Sequence, residues 1–262
     1  MSHPILQNLT SKATLLFILI AFSCCINKTK DNKPEYWEHF IAHAGGAIDG
    51  NIYTNCLEAL DLSYSKGCKL FELDLVLTTD GKIVAQHDPP EVTEAVFMNR
   101  RIAEKYTPLN MEAINLWFQD HPDAILVTDK INDPRRIFNE FSFPDRLLME
   151  LFSWEAIDKA IELGIKPMAT EELLYKTSHI VKKLKRKKIE YVASSYIFTS
   201  EHKRIFKRLK RNGIKTYIFN LEEPMSGQTA EEYVWNHEMK FCYGMYANNC
   251  DILESLQKLA TK

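Results

Sequence analysis

The sequence predicts an α/β fold, a (β/α)8 TIM barrel with a small insertion after the second strand. Short apolar stretches alternate with amphipathic ones from about residue 40 to the end of the 262-residue chain. Strands alternating with helices imply a parallel sheet. Eight such units over roughly 230 residues approach the ~250 typical of this barrel. The rival is a doubly wound open sheet. No Gly-x-Gly-x-x-Gly follows the first strand, so the dinucleotide-binding version of that sheet is unsupported.

Residues 1–25 stand apart from the fold. The apolar run from Ala13 to Phe22 is shorter than the roughly 20 residues a membrane span needs and has the length of a signal-peptide core. It ends Ala21-Phe22-Ser23-Cys24-Cys25, which resembles a bacterial lipoprotein signal with Cys24, or else Cys25, as the lipidated residue; an uncleaved signal anchor is the alternative. Residues 26–36 are polar and Lys-rich and read as a flexible tether. The expected product is an exported lipoprotein, held in the membrane by its lipid and facing the periplasm or cell surface. Its barrel would span 37–262.

The expected strands are Phe40–His43, Lys69–Leu77, Ala124–Asp129, Leu147–Phe152, Lys166–Ala169, Tyr191–Ile197, Lys215–Phe219 and Phe241–Tyr246. A helix is expected over Asn55–Lys66, stopped by Gly67. Further helices follow from three apolar stripes: Ile157/Ala160/Ile161, Ile180/Val181/Leu184 and Ile205/Phe206/Leu209. Asp88 to about Pro108 interrupts the alternation, and such a long segment in a compact domain is often functional. In a barrel it would lie over the catalytic mouth.

Hydrophobic content of 45%, charged content of 26% and a net charge of -2 argue against disorder and against a nucleic-acid partner. No protein partner is implied. Two basic stretches, 182–188 and 203–211, are punctuated by apolar residues at helical spacing. They read as solvated helix faces, or as attraction to an anionic membrane surface. Cys56, Cys68, Cys242 and Cys250 match no zinc spacing and read as isolated buried thiols, although an exported location permits disulfides.

The chemistry gathers between residues 43 and 88. In the second strand Phe71, Leu73, Leu75 and Leu77 share one face, and Glu72 and Asp74 the other. Two acids on one face of an apolar strand repel and lose hydration, penalties that a bound cation removes. Asp80-Gly81 signals a two-residue hairpin. That register pairs Thr79 with Lys82 and sets His87 opposite Asp74. His43 closes the first strand, where barrels carry their catalytic groups, and Gly45 and Gly46 let backbone approach a ligand. Imidazole titrates near neutrality, so one ring can accept a proton while another donates. Carboxylates that hold a cation favour Mg²⁺ or Ca²⁺.

His43-Ala-Gly-Gly, Thr54-Asn55, Glu72-Leu-Asp74, Thr79-Asp80-Gly81 and His87-Asp88, in this order and spacing, resemble the glycerophosphodiester phosphodiesterase family. The resemblance extends to the phospholipase-C-like barrels more broadly. It implies a (β/α)8 barrel, His43 and His87 as acid–base pair, Glu72 and Asp74 as ligands of a divalent cation, and Lys130 as the lysine that meets the substrate phosphate. The chain departs from the family at three points. Ala44 stands where the family usually has a phosphate-binding arginine. Thr128 occupies the usual place of the third metal-ligating glutamate, which leaves Asp129 as the nearest acid; strand alternation turns it away from Lys130 unless the strand has ended. Tyr246-Ala247-Asn248-Asn249 replaces a frequent Thr-Asp pair. Glu150 is a further carboxylate at a strand end.

The function expected is metal-assisted hydrolysis of glycerophosphodiesters, or of a phosphodiester-linked headgroup or surface polymer. The alternatives are a metal-independent phospholipase-C-like lyase and a non-catalytic lipoprotein that binds a phosphorylated ligand.

Overall fold

The computed structural model describes residues 36–195, 200–221 and 227–260. The expected leader, its two cysteines and the tether up to residue 35 lie outside them. Nine strands are present among the described residues: β1 (Phe40–Ala42), β2 (Leu70–Leu77), β3 (Ile83–Ala85), β4 (Ile125–Asp129), β5 (Leu147–Leu151), β6 (Lys166–Ala169), β7 (Tyr191–Ser195), β8 (Lys215–Phe219) and β9 (Gly244–Ala247). Eight of them form a closed parallel barrel in the order β1-β2-β4-β5-β6-β7-β8-β9, because β1 pairs with both β2 and β9. The ninth, β3, pairs antiparallel with the end of β2.

Helices α1 (Leu57–Ser65), α2 (Glu94–Met98), α3 (Met111–Asp120), α4 (Pro134–Glu140), α5 (Trp154–Glu162), α6 (Glu171–Lys176), α7 (Ile180–Arg186), α8 (Ser200–Arg211), α9 (Ala230–His237) and α10 (Asp251–Ala260) fill the connections. Several starts are written in the sequence. Asn110, Asp133 and Ser153 accept backbone N–H bonds at the heads of α3, α4 and α5, and Pro134 opens α4. Thr229 and Glu232 form a capping box at α9. Among the described residues no helix is long and apolar enough to cross a membrane.

The pleat divides the strands between two cores. One set of alternate residues, Phe40, Ala42, Phe71, Leu73, Leu126, Met149 and Leu151 among them, packs under the helices. The other set fills the bore with Ile41, Leu70, Val127, Leu148, Met168, Ala193, Tyr217 and Tyr246. Full burial of each large side chain contributes ~1.5–3 kcal/mol. Glu72 and Asp74 follow Leu70 on the bore face, as the alternation in β2 predicts.

Two expectations need correction. The β2–β3 loop has three residues, not two: Thr78 N donates to Lys82 O (2.9 Å), and Leu75 pairs with Ala85. Gln86, not His87, therefore lies opposite Asp74, and its N–H donates to the Asp74 carbonyl (2.8 Å). The cause is local: Thr78 Oγ1 donates to Asp80 Oδ1 (2.6 Å) and accepts from Lys82 N (3.0 Å), which draws Thr78 into the turn. The cysteines are not all isolated thiols either. Cys68 and Cys250 form a disulfide that joins the approach to β2 with the head of α10, 182 residues apart. Cys56 and Cys242 are free and buried.

The insertion contains α2 and a bridge between Ile102 and Tyr106, and it rejoins the barrel through Pro108 beside Cys56. Its Lys105 ammonium and Tyr106 hydroxyl both donate to Asp49 in the β1–α1 loop. The two loops are thereby tied together.

Candidate active site

The C-terminal strand ends surround a cavity of about 160 Å³. Its lining includes His43, Tyr53, Glu72, Asp74, His87, Asp129, Lys130, Glu150, Phe219, Asn220 and Tyr246. Six of the seven predicted site residues meet there. Gly45 does not line the cavity; it is buried in the turn after β1, where its carbonyl accepts from Ser63 Oγ (2.8 Å).

That turn explains how β1 presents its histidine. His43–Gly45 winds into a short 3₁₀ segment with Ala44 in the left-handed region (φ 48°). The twist aims the Ala44 N–H at Glu72 Oε2 (2.8 Å). Gly46 (φ 103°) takes a backbone conformation that favours glycine, and a Cβ there would stand 2.1 Å from Ser63 Oγ. His43 Nδ1 donates to Asn248 Oδ1 (3.1 Å), just beyond β9, which directs Nε2 away from that contact. Burial lowers the His43 pKa below the usual histidine value, with Asp74 pulling the other way.

His87 follows the end of β3, so strand alternation no longer governs its direction, and it faces the cavity despite the shifted register. It is half-exposed, with Nδ1 3.2 Å from Asp88 Oδ1. Tyr53 contacts both histidines, its ring centroid 4.7 Å from that of His43 and 5.3 Å from that of His87, with its plane steeply inclined to both. The two imidazoles are thus within about 10 Å of each other.

Glu72, Asp74 and Asp129 each offer a carboxylate oxygen within 4.8 Å of the others. The β2–β4 register explains this, because Asp74 pairs with Asp129 and neighbouring parallel strands keep paired residues on one face. Asp129 therefore points inward while Thr128 packs outside. Lys130 is where alternation fails: it leaves the strand at φ 68°, and its ammonium lies 3.5 Å from Asp74 Oδ1 and 3.7 Å from Asp129 Oδ2. The apparent conflict between Asp129 and Lys130 disappears because the strand has ended.

The acids are costly as they stand. Burial, followed by the charge of Asp74, pushes the Glu72 pKa well above the usual carboxylate value. Burial raises Asp129 as well. Burial works against the Lys130 charge, yet Asp129 and Asp74 outweigh it and raise the ammonium pKa. Asn55 (φ 48°) clamps Asp74 from both sides: its Nδ2 donates to Asp74 Oδ2 and its Oδ1 accepts from Asp74 N, both at 2.9 Å. Glu72 Oε1 is buried with no hydrogen-bond partner among the described residues. A shared cation would answer the repulsion and the orphaned oxygen together, so the donor set fits one.

Glu150 forms part of the deeper wall. It accepts from the Tyr246 hydroxyl (2.9 Å), and burial, then the charge of Asp129, pushes its pKa up to about 8. Tyr53 was not predicted, because it lies in a loop where no pattern marks it. Asn220, Tyr246 and Asn248 lie at or just beyond the ends of β8 and β9, where the barrel rule alone directs attention.

Residues 45–212 match the model of the Glycerophosphoryl diester phosphodiesterase family. The chain belongs to this family. It is accordingly a phosphoric diester hydrolase in class. No curated protein matches it in sequence. Among solved structures it is similar to a glycerophosphoryl diester phosphodiesterase from Parabacteroides distasonis, at 16% identity and a TM-score of 0.66 over 84% of this chain and 86% of that one. It is also similar to an Oleispira antarctica phosphodiesterase in complex with the product sn-glycerol-3-phosphate, at 17% identity and a TM-score of 0.63 over 86% and 99%. A Thermotoga maritima glycerophosphodiester phosphodiesterase shares 16% identity and a TM-score of 0.58 over 83% and 97%. At these identities the solved structures bear on the fold; the family model carries the assignment.

Proposed function

We propose that this glycerophosphodiesterase-family chain hydrolyses glycerophosphodiesters, or closely related headgroup phosphodiesters, with His43 as general base, His87 as general acid and a divalent cation on Glu72, Asp74 and Asp129. The carrying observation is that two imidazoles, three convergent carboxylates and one lysine ammonium line a single cavity. His43 is the better base. Its Nδ1 hydrogen is committed to Asn248, so Nε2 accepts, and burial favours the neutral ring. His87 is the better acid. It is half-exposed, so water can return its proton after each turnover, and Asp88 Oδ1 accepts from Nδ1 while Nε2 donates. Each proton transfer contributes about 10²–10⁴-fold.

Lys130 neutralises the substrate phosphate, which the family's arginine cannot do in a chain with Ala44. Asn55 holds Asp74 in its ligating orientation. Three oxygen donors suit Mg²⁺ or Ca²⁺. When bound, such a cation supplies charge neutralisation at the phosphoryl oxygens. The product seen with the Oleispira relative supports a glycerol phosphate on one side of the scissile bond.

An exported, membrane-tethered location belongs to the same reading. The apolar run from Ala13 to Phe22, followed at once by Ser23-Cys24-Cys25, supports it. The Cys68–Cys250 disulfide, a bond characteristic of oxidising compartments, supports it independently. The test of the roles is hydrolysis of a glycerophosphodiester by His43→Ala and His87→Ala proteins that retain wild-type circular dichroism. Each substitution is expected to remove activity by at least about 10²-fold; full activity in either would refute its role.

A further inference from the structure

The two basic stretches form one surface. Residues 182–188 and 203–211 hold twelve of the chain's 33 Lys and Arg and none of its 35 acids. They lie on and just beyond α7 and along α8. The two segments are neighbours, since Lys185 Nζ donates to Asn212 Oδ1 (3.3 Å) just past the end of α8. Each helix turns its apolar residues inward: Ile180, Val181 and Leu184 in α7, Phe206 and Leu209 in α8. The cations are left outside. Of the twelve, Lys187 pairs with Asp158 and Arg204 with Glu201; the other ten make no ion pair with a described carboxylate. Beside α8 runs a groove of about 390 Å³ lined by Lys203, Lys207, Arg208, Arg211 and Phe241 among others. The Lys203 and Lys207 ammoniums stand 5.3 and 5.1 Å from the Phe241 ring, and Lys183 stands 3.6 Å from that of Trp154.

We propose that this face docks against an anionic phospholipid surface. Charge complementarity argues for it: twelve cations spread over two neighbouring helix faces, only two of them paired with a carboxylate, suit a planar polyanion better than a small ligand. The chain that precedes the barrel argues for it too. Residues 26–35, between Cys25 and the first described residue, reach at most ~35 Å when extended, so a lipid at Cys24 or Cys25 would keep the barrel within a few tens of Å of a bilayer, roughly that reach or less. The proposal uses the anchoring reading for this proximity only.

The test is co-sedimentation of the full chain with phosphatidylcholine vesicles, with and without phosphatidylglycerol, at low and high salt. Binding to pure phosphatidylcholine reports the N-terminal segment; the preference for phosphatidylglycerol reports the basic face. A cation that reaches the headgroups contributes about fivefold. The K203E/K207E/R208E/R211E protein is therefore expected to lose at least several hundredfold (roughly 600) of that preference, and high salt to abolish it in the wild type. Hydrolysis of a soluble glycerophosphodiester should be unchanged in the variant, because none of the four residues lines the catalytic cavity. Equal binding to both vesicle types, or a preference that survives the four substitutions, would overturn the proposal. Tighter salt-sensitive binding to duplex DNA than to phosphatidylglycerol vesicles would overturn it in favour of a nucleic-acid partner.

Discussion

Glu150→Gln separates the cost of a buried acid from the work of the cation site. Glu150 lies beside the three-acid cluster, accepts from Tyr246 and carries a pKa raised from 4.5 to about 8, chiefly by burial. In the unfolded chain it ionises near its ordinary value. Between the two values the folded protein holds a proton that the unfolded chain has released, so stability falls as pH rises. At about 1.4 kcal/mol per pH unit, the loss has a ceiling of ~5 kcal/mol by pH ~8 and levels off above it. Glutamine keeps an oxygen for Tyr246 and cannot ionise. The variant should therefore match the wild type near pH ~5 and gain on it up to pH ~9. At about 2–4 °C per kcal/mol for a domain of this size, the gap reaches on the order of 10 °C in Tm. Thermal unfolding of both proteins in EDTA, across that pH range, is the assay. Glu72 is also raised, chiefly by burial and Asp74 and least by Glu150, so most of its contribution is common to both proteins. Parallel stability curves would refute the reasoning.

Two further outcomes follow from the geometry. Tyr53→Phe should leave kcat/KM within about twofold, because the phenyl ring that stands against His43 and His87 is kept; Tyr53→Ala should lower it about tenfold by releasing the half-exposed His87. Cys250→Ser, or reduction of the wild type, should cost about 2–4 kcal/mol in urea unfolding without changing the metal requirement for activity, since the disulfide lies outside the catalytic cavity. An unchanged unfolding midpoint would show that the bond is absent in solution.

Much of the architecture was legible because burial on two sides imposes a simple code. In β2 the alternation of Phe71, Leu73 and Leu75 with Glu72 and Asp74 marked both the strand and the inward direction of the acids. What failed was set by individual side chains or by distance along the chain. The hydrogen bonds of Thr78 added a residue to the hairpin loop and moved the register by one. Left-handed backbone at Lys130 let two consecutive residues face the same site, which alternation forbids within a strand. Cys68 and Cys250 are 182 residues apart, and only the closure of the barrel brings them together. Tyr53 enters the site through a loop with positive φ at Asp49, Gly50, Tyr53 and Asn55, a path that hydrophobic periodicity does not encode.

The decisive experiment is release of sn-glycerol 3-phosphate from a glycerophosphodiester by the purified protein, before and after chelation. Glu72, Asp74 and Asp129 predict that EDTA stops turnover and that excess Mg²⁺ or Ca²⁺ restores it, with Asp129→Asn weakening the restoration. Undiminished turnover in EDTA would mean that the three acids hold no catalytic cation, and the metal-independent lyase reading would take its place.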